Sequence, residues 1–376
     1  MTPGGRRVAA AHNALGWHWW PGSNAIATRR YGELEACQRR AACMWGCPHR
    51  AKGSVDVTHW PRALRLGARL ITGARVLRIE TDRTGRATGA LWRDRRGVIH
   101  STSADAVVLA ANGVGTPRLL QLSSSPEHPD GLANSSGRVG TRLMLHPFAA
   151  AIGLFEDDLR AWQGVWGQDI TSLQFYETDD DRGFVRGAKW GLVPTGGPLW
   201  AVRSQQWGDA ADWGAGFYDL LRTRFSRSAQ WSIIGEDLPE QRNTVTLSDT
   251  VTDGDGLPAP AVTYRTSENS RSMLAFNLER ARESLLAAGA YRVVDMPQVR
   301  GSGWHLLGTA VMGDDPSSSV VDRWGQSHDV PNLWIFDGST WPTSSGMNPT
   351  ATIAAFALRG AERMLALHGG QGHGSP

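Results

Sequence analysis

Residues 332–365, NLWIFDGSTWPTSSGMNPTATIAAFALRGAERML, hold a short apolar run, a break and a long periodic segment. Asn332 to Phe336 reads as a buried strand that stops at Asp337-Gly338. This places a carboxylate at the strand's carboxyl end, where parallel sheets bind cofactors. Asn348 can cap a helix, and Pro349 suits its first position. From there Ile353, Phe356, Ala357, Ala361 and Met364 make one apolar face, with Arg359, Glu362 and Arg363 opposite. The stretch predicts strand, glycine-containing loop, helix. Free N–H groups and the positive dipole end of such a helix would face an anion or an electron-rich ring. Every capped helix shares that property, so it names no ligand.

A second strand-to-helix passage lies at 105–122, DAVVLAANGVGTPRLLQL, where an apolar run breaks at Asn112 and Gly113 and helical spacing resumes after Pro117. Two such passages predict a nucleotide-binding sheet that meets a phosphate-bearing cofactor at its carboxyl edge. Gly113 and Gly115 do not complete a GxGxxG turn. Upstream, ARLITGARVLRIETD, RATGALWRD and VIHSTS, parted by turns near Gly85 and Gly97, predict a short antiparallel meander.

The middle of the chain, about 149–300, predicts a separate antiparallel domain. NTVTLSD alternates like a strand, and SENSRSMLAFNLERARESLLAAG reads as a capped helix ending at Gly289. Trp162, Trp166, Trp190, Trp200, Trp207, Trp213 and Trp231 are scattered here. Their faces suit sugar rings and equally suit the filling of a core. DTVTDGDGLP suggests a calcium loop through Asp253, Asp255 and Gly256, but the register puts Val251 at the first ligand position and Val262 at the closing glutamate. A turn is the expected structure.

At 376 residues, 41% hydrophobic and 20% charged, the chain has the balance of a soluble globular protein of one large or two ordinary domains. All its basic residues except Lys52 and Lys189 are arginine, interleaved with 36 acidic residues. That pattern excludes a nucleic-acid footprint. The longest apolar candidate, LMLHPFAAAIGLF from Leu143, is too short to span a bilayer and carries His146. The amino end does not read as a secretory signal, and localisation stays open.

One histidine, His305, stands in GSGWHLLGTAVMGDD at 301–315. Alone it reads as a hydrogen-bonded structural side chain. With WHLLGTAVMGDDPSSSVVD followed by NLWIFDGSTWPTSSGMNPTATIAAFALR, and with VVLAANGVGTPRLLQLSS and VGTRLMLHP upstream, the chain resembles the glucose-methanol-choline (GMC) family of FAD-dependent oxidoreductases. The likeness is strong over about 37–148 and 301–366. It implies an α/β (α+β) fold, in which an FAD-binding Rossmann-like domain accompanies an antiparallel-sheet substrate domain. The boundaries it implies are 1–148 for the FAD side with its Cys-rich segment, 149–300 for the substrate domain, 301–368 for the return to the FAD side, and a flexible tail at 369–376.

The resemblance also implies the chemistry, oxidation of the CH–OH group of a sugar, polyol or other alcohol by hydride transfer to flavin N5. His305 would be the base and Asn348 its partner, bonding the developing alkoxide. An alcohol carbon releases hydride readily only as its oxygen gives up a proton, and imidazole titrates near neutrality. By resemblance Asp337, Gly338, Thr352 and the helix start at Asn348, Pro349 and Thr350 lie against FAD. Val76 would serve the adenine end, and Ala111, Asn112 and Gly113 the isoalloxazine or pyrophosphate side.

The family begins with a βαβ unit whose GxGxxG turn cradles the FAD pyrophosphate, and these 376 residues contain no such motif. The FAD-binding domain is therefore expected to be incomplete. The alternative expectation is a non-catalytic fragment or half-protein that needs an amino-terminal polypeptide to bind FAD. All three cysteines fall in CQRRAACMWGCPHRAK, as Cys37, Cys43 and Cys47. Such thiolates can hold an iron–sulfur cluster, or zinc with His49 as fourth ligand; packed or bridged cysteines are the other reading. The spacing resembles that of the family's FAD-dependent hexose dehydrogenases, which carry a 3Fe-4S cluster. That likeness implies a dehydrogenase rather than an oxidase, with an electron-accepting cytochrome or small subunit as partner.

Overall fold

The computed structural model describes residues 1–41, 43, 46–165, 167–194, 214–299 and 302–368. Its strands are β1 (Trp20–Pro21), β2 (Arg75–Thr81), β3 (Ala87–Arg93), β4 (Ile99–Ser103), β5 (Val107–Leu109), β6 (Phe148–Leu154) and β7 (Ile170–Ser172). There follow β8 (Ala188–Pro194), β9 (Ser228–Gly235), β10 (Thr244–Thr252), β11 (Pro258–Thr263), β12 (Arg292–Met296) and β13 (Leu333–Ile335). The α-helices are α1 (Pro3–Leu15), α2 (Val55–Thr58), α3 (Trp60–Arg65), α4 (Asn112–Leu122), α5 (Phe217–Arg224), α6 (Glu268–Ala287) and α7 (Thr350–His368). Two compact units are drawn from interleaved segments: Met1–Leu70, Pro147–Glu236 and Glu268–Ser302 form one, and Ile71–His146, Asp237–Ser267 and Gly303–Pro376 the other. The expected tail, 369–376, lies outside the described residues.

The first unit is built on an antiparallel sheet of order β1-β7-β8-β9-β6-β12. Side chains alternate across each strand, so Ala149 and Ala151 of β6, Trp190 and Leu192 of β8, and Trp231 and Ile233 of β9 fall on one face. Against that face α6 lays Met273, Leu274, Leu278, Ala281 and Leu285, spaced as one helical stripe. Helix α1 adds Val8, Ala9 and Ala11 to the same core. This burial ties α1 to the antiparallel sheet, and Met1–Leu70 fall in that unit and not with the rest of the 1–148 segment that the resemblance implies. Helix α1 starts on Thr2, whose hydroxyl accepts the Gly5 N–H at 3.0 Å. Trp190 and Trp231 are fully buried and serve as core, not as stacking faces. Trp162 is exposed, and Trp166, Trp200, Trp207 and Trp213 lie outside the described residues.

The second unit contains the expected meander β2-β3-β4, the hairpin β10-β11, and a parallel pair in which Leu333–Ile335 runs beside Val107–Leu109. Leu109, Leu120, Leu132, Val320, Val321, Leu333 and Ile335 form its core. Residues 237–267, expected in the substrate domain, belong here because Val245 is buried and its carbonyl accepts from Gln121 of α4. The 253–257 segment is a turn: Asp253 Oδ1 accepts the N–H groups of Asp255 and Leu257. Its Oδ2 pairs with Arg118 at 2.7 Å and Arg75 at 2.9 Å; the Arg118 bond above all, with the N–H groups of Asp255 and Leu257, holds the carboxyl down at about 2 against the opposing effect of burial. Among the described residues no helix is long and apolar enough to cross a membrane.

Candidate active site

The two strand-to-helix passages meet through Asp337. Its Oδ2 accepts the Asn112 N–H at 2.9 Å and the Thr116 hydroxyl at 2.6 Å, and its Oδ1 accepts the Ser339 N–H at 2.8 Å. A buried carboxylate thus sits at the positive end of α4, where the helix dipole favours it. Asn112 has φ 68, a conformation asparagine tolerates, and its Oδ1 accepts from Val114 N and Gly115 N. Helix α4 therefore starts at Asn112, five residues before the Pro117 at which the sequence placed its periodicity. Pro117 lacks an N–H for the carbonyl of Gly113. The Thr309 hydroxyl fills that place, donating to Gly113 O at 2.8 Å.

That bond brings the HLLGT stretch against α4. A Cβ on Gly113 would lie 2.6 Å from the Leu306 carbonyl, so only glycine permits the approach. Gly308 has φ +94 and its N–H donates to Gly338 O at 3.1 Å. The backbone N–H of Ala310 and that of Met312 donate to Ser339 O and Thr340 O. The segment that carries His305 is thereby fastened to the segment that carries Asp337 and Gly338.

On its other side the same segment pairs antiparallel with 144–146. Met144 and Leu307 exchange N–H···O bonds of 3.0 and 3.1 Å. Two residues along this register His146 stands opposite His305, and side chains so placed touch. The two Nδ1 atoms are 2.6 Å apart, with the rings edge to face at 78°. His146 is buried and has φ 49, unusual for a residue with a side chain. In the sequence His146 stands out only as the polar break in LMLHPFAAAIGLF, and the His-Pro dipeptide in VGTRLMLHP was the signal available for it.

Asp237 anchors this pair from below. It is buried, and its Oδ2 accepts from Leu145 N at 3.1 Å and from the Tyr264 hydroxyl at 2.8 Å, while Oδ1 accepts from Leu238 N. Burial, with the Asp237 charge, pushes the Tyr264 phenol far above its usual value, so it remains a donor. Ser344, on the loop leading to Asn348, accepts from Asp237 N and donates to Asp237 O. Tyr264→Phe is expected to cost about 1.5–3 kcal/mol, the range for a hydrogen bond to a charged group. A urea midpoint that does not move would refute that role for the phenol.

The other expected site residues fall as follows. Asn348, Thr350 and Thr352 are exposed around the start of α7, with Pro349 buried between them. Val76 and Ala111 line one groove of about 430 Å³ along β5, together with Val108, Leu109, Gly115 and Arg118. Two of the cysteines bond locally. Cys37 Sγ accepts from Arg39 N and Cys47 Sγ from Ala51 N, so each faces its own loop. Burial raises the Cys47 thiol, but the N–H groups of Ala51, Lys52 and His49 with the Lys52 charge bring it below its usual value. All three are free thiols, and among the described residues no group of three or more His, Cys, Asp or Glu is placed to hold a metal. The expected iron–sulfur cluster and the zinc alternative through His49 are without support.

Comparison with known proteins gives the same direction. Two family models, each described as GMC oxidoreductase, match residues 11–148 and 239–357. The 2-methyl-1,2-propanediol dehydrogenase of Mycolicibacterium austroafricanum is 39% identical over 96% of this chain and 66% of its own length. The fructose dehydrogenase large subunit of Gluconobacter japonicus is 31% identical over 96% of this chain and 65% of its own. The chain thus spans about two thirds of the length of these curated relatives. Among solved structures, pyridoxine 4-oxidase from Mesorbium loti matches with a TM-score of 0.63 at 17% identity, over 98% of this chain and 70% of that one. That likeness is one of fold.

Proposed function

The chain belongs to the GMC oxidoreductase family, and from that premise we propose that it oxidises the CH–OH group of a small diol, polyol or sugar, with FAD as cofactor. The relatives that act on a diol and on fructose support this substrate class. FAD, when bound, supplies the hydride acceptor. The residues present fit part of such a cofactor: the apolar groove holding Val76 and Ala111 lies beside β5, and the Asn112 turn and Asp337 follow the carboxyl ends of β5 and β13. Asn112, Gly113, Gly338 and the start of α7 at Pro349, Thr350 and Thr352 would complete the protein's share of that site.

The observation that carries the reading is His305. It is half-buried on a segment fastened on both sides, with a hydrogen-bond partner on one ring nitrogen. An imidazole held this way can take the hydroxyl proton of an alcohol at its other nitrogen. Asn348 donates a hydrogen bond to the same oxygen as negative charge develops there. An acceptor other than O₂ is the preferred oxidant, in keeping with the two dehydrogenase relatives; a partner subunit would supply it.

The test is anaerobic incubation of the chain with FAD, removal of free flavin, and addition of a branched 1,2-diol or of fructose. Bleaching of the bound flavin, with faster reoxidation by a dye than by O₂, is the expected result. A flavin-loaded protein that no alcohol or sugar bleaches would end the proposal.

A further inference from the structure

We propose that His146 fixes the tautomer of His305, an inference that rests on His305 being the base. Two imidazole nitrogens 2.6 Å apart cannot both present lone pairs, nor can both present N–H groups. One donates and the other accepts. If His146 donates, His305 accepts at Nδ1, carries its proton on Nε2, and cannot take another there. If His305 donates, its Nε2 carries no proton and keeps its lone pair. Only the second arrangement makes His305 a base toward a hydroxyl, so His146 Nδ1 is the acceptor and His146 carries its own proton on Nε2.

The structure makes this acceptor immobile. His146 is buried, its backbone is held at φ 49 ahead of Pro147, and the preceding Leu145 N–H is bound by the buried carboxylate of Asp237. The antiparallel exchange between Met144 and Leu307 sets the register that places the rings opposite one another. During reaction the substrate O–H bond breaks, its electron pair stays on oxygen, and a new N–H bond forms at His305 Nε2. His305 is then a cation whose Nδ1–H still points at His146. That hydrogen bond becomes charge-assisted and stronger at the moment the proton arrives. His146 is thus a positioning residue, acting through His305.

The test is two-bond proton–nitrogen NMR on the full chain labelled with ring-¹⁵N histidine, with His305 assigned by its loss in His305→Gln. In the unsubstituted protein His305 is expected to carry its proton on Nδ1. In His146→Ala it should revert to the Nε2–H form that free imidazole side chains favour. His146→Asn, whose side-chain oxygen falls near the former Nδ1, should restore the Nδ1–H form. In turnover, His146→Ala should lower kcat by roughly 10²- to 10⁴-fold, as a wrong tautomer does, with KM little changed, and His146→Asn should recover most of it. An Nε2–H signal in the unsubstituted protein, or an Nδ1–H signal that persists in His146→Ala, overturns the proposal. The expected spectra in a chain that oxidises no alcohol would instead overturn only the proposed function.

Discussion

His305→Ala is expected to lower turnover by about 10²–10⁴-fold, the range for loss of a positioned general base, with the flavin of the proposed function still retained. The separation follows from where the side chain sits. The backbone bonds that fasten this segment, Leu307 to Met144, Gly308 to Gly338 and Ala310 to Ser339, do not use the imidazole. Removing the ring leaves them intact and takes away the proposed proton acceptor together with its Nδ1 contact to His146. Both kcat and kcat/KM should fall together, because the proton is taken in the transition state and not in the ground state. Asn348→Ala should cost less, since a hydrogen bond to the oxygen is lost but the proton still has a destination. Near-normal turnover in His305→Ala would end the assignment, as would loss of flavin in proportion to activity.

Lowering the pH from 6.5 to 4 is expected to remove about 3 kcal/mol of stability through a single residue, His12. This histidine is fully buried beneath Trp17, Trp190 and Trp231, with ring centroids 5.4, 6.3 and 5.3 Å away. Ser284 Oγ accepts the Trp231 indole N–H at 2.9 Å and shares a hydrogen bond of 2.8 Å with His12 Nε2. The neutral ring joins α1 to α6. Burial pulls its pKa from 6.5 to about 4, against the weaker effect of a backbone bond with His18. The unfolded chain therefore binds a proton in the window between 4 and 6.5 that the folded chain refuses. Stability is complete above 6.5 and falls as pH drops toward 4. His12→Asn should flatten the dependence of the urea midpoint on pH over that window. An equal slope in the two proteins would show that other groups cause it.

The motifs around the site could be read without a structure because each depends on neighbours in sequence. The apolar run into Asp337-Gly338 and the stripe after Pro349 are local periodicities, and the strand and helix stand where those periodicities put them. The meander through Gly85 and Gly97 and the helix that stops before Gly289 are legible for the same reason. Helix α4 was misjudged at its start because the partner of Gly113's carbonyl is Thr309, far along the chain. A rule about proline that considers only the neighbouring turn has no access to that hydroxyl. The cysteines show the opposite limit: closeness in sequence suggested a shared ligand or simple packing, and Cys37 and Cys47 each bond within their own loops.

The sequence by itself determined the chemistry on offer: an imidazole at 305, a carboxylate at 337, a helix start at 349, and an ordering of them that belongs to one family. These are set by residue identity and short-range periodicity, which folding does not alter. Only the tertiary structure decided which groups face each other. His146 meets His305 through the register of two segments paired antiparallel, and Asp337 caps α4 across more than two hundred residues. Such pairings are chosen by long-range backbone hydrogen bonds and by the burial that excludes their alternatives, and one residue's slip in register would turn the histidine to the other face.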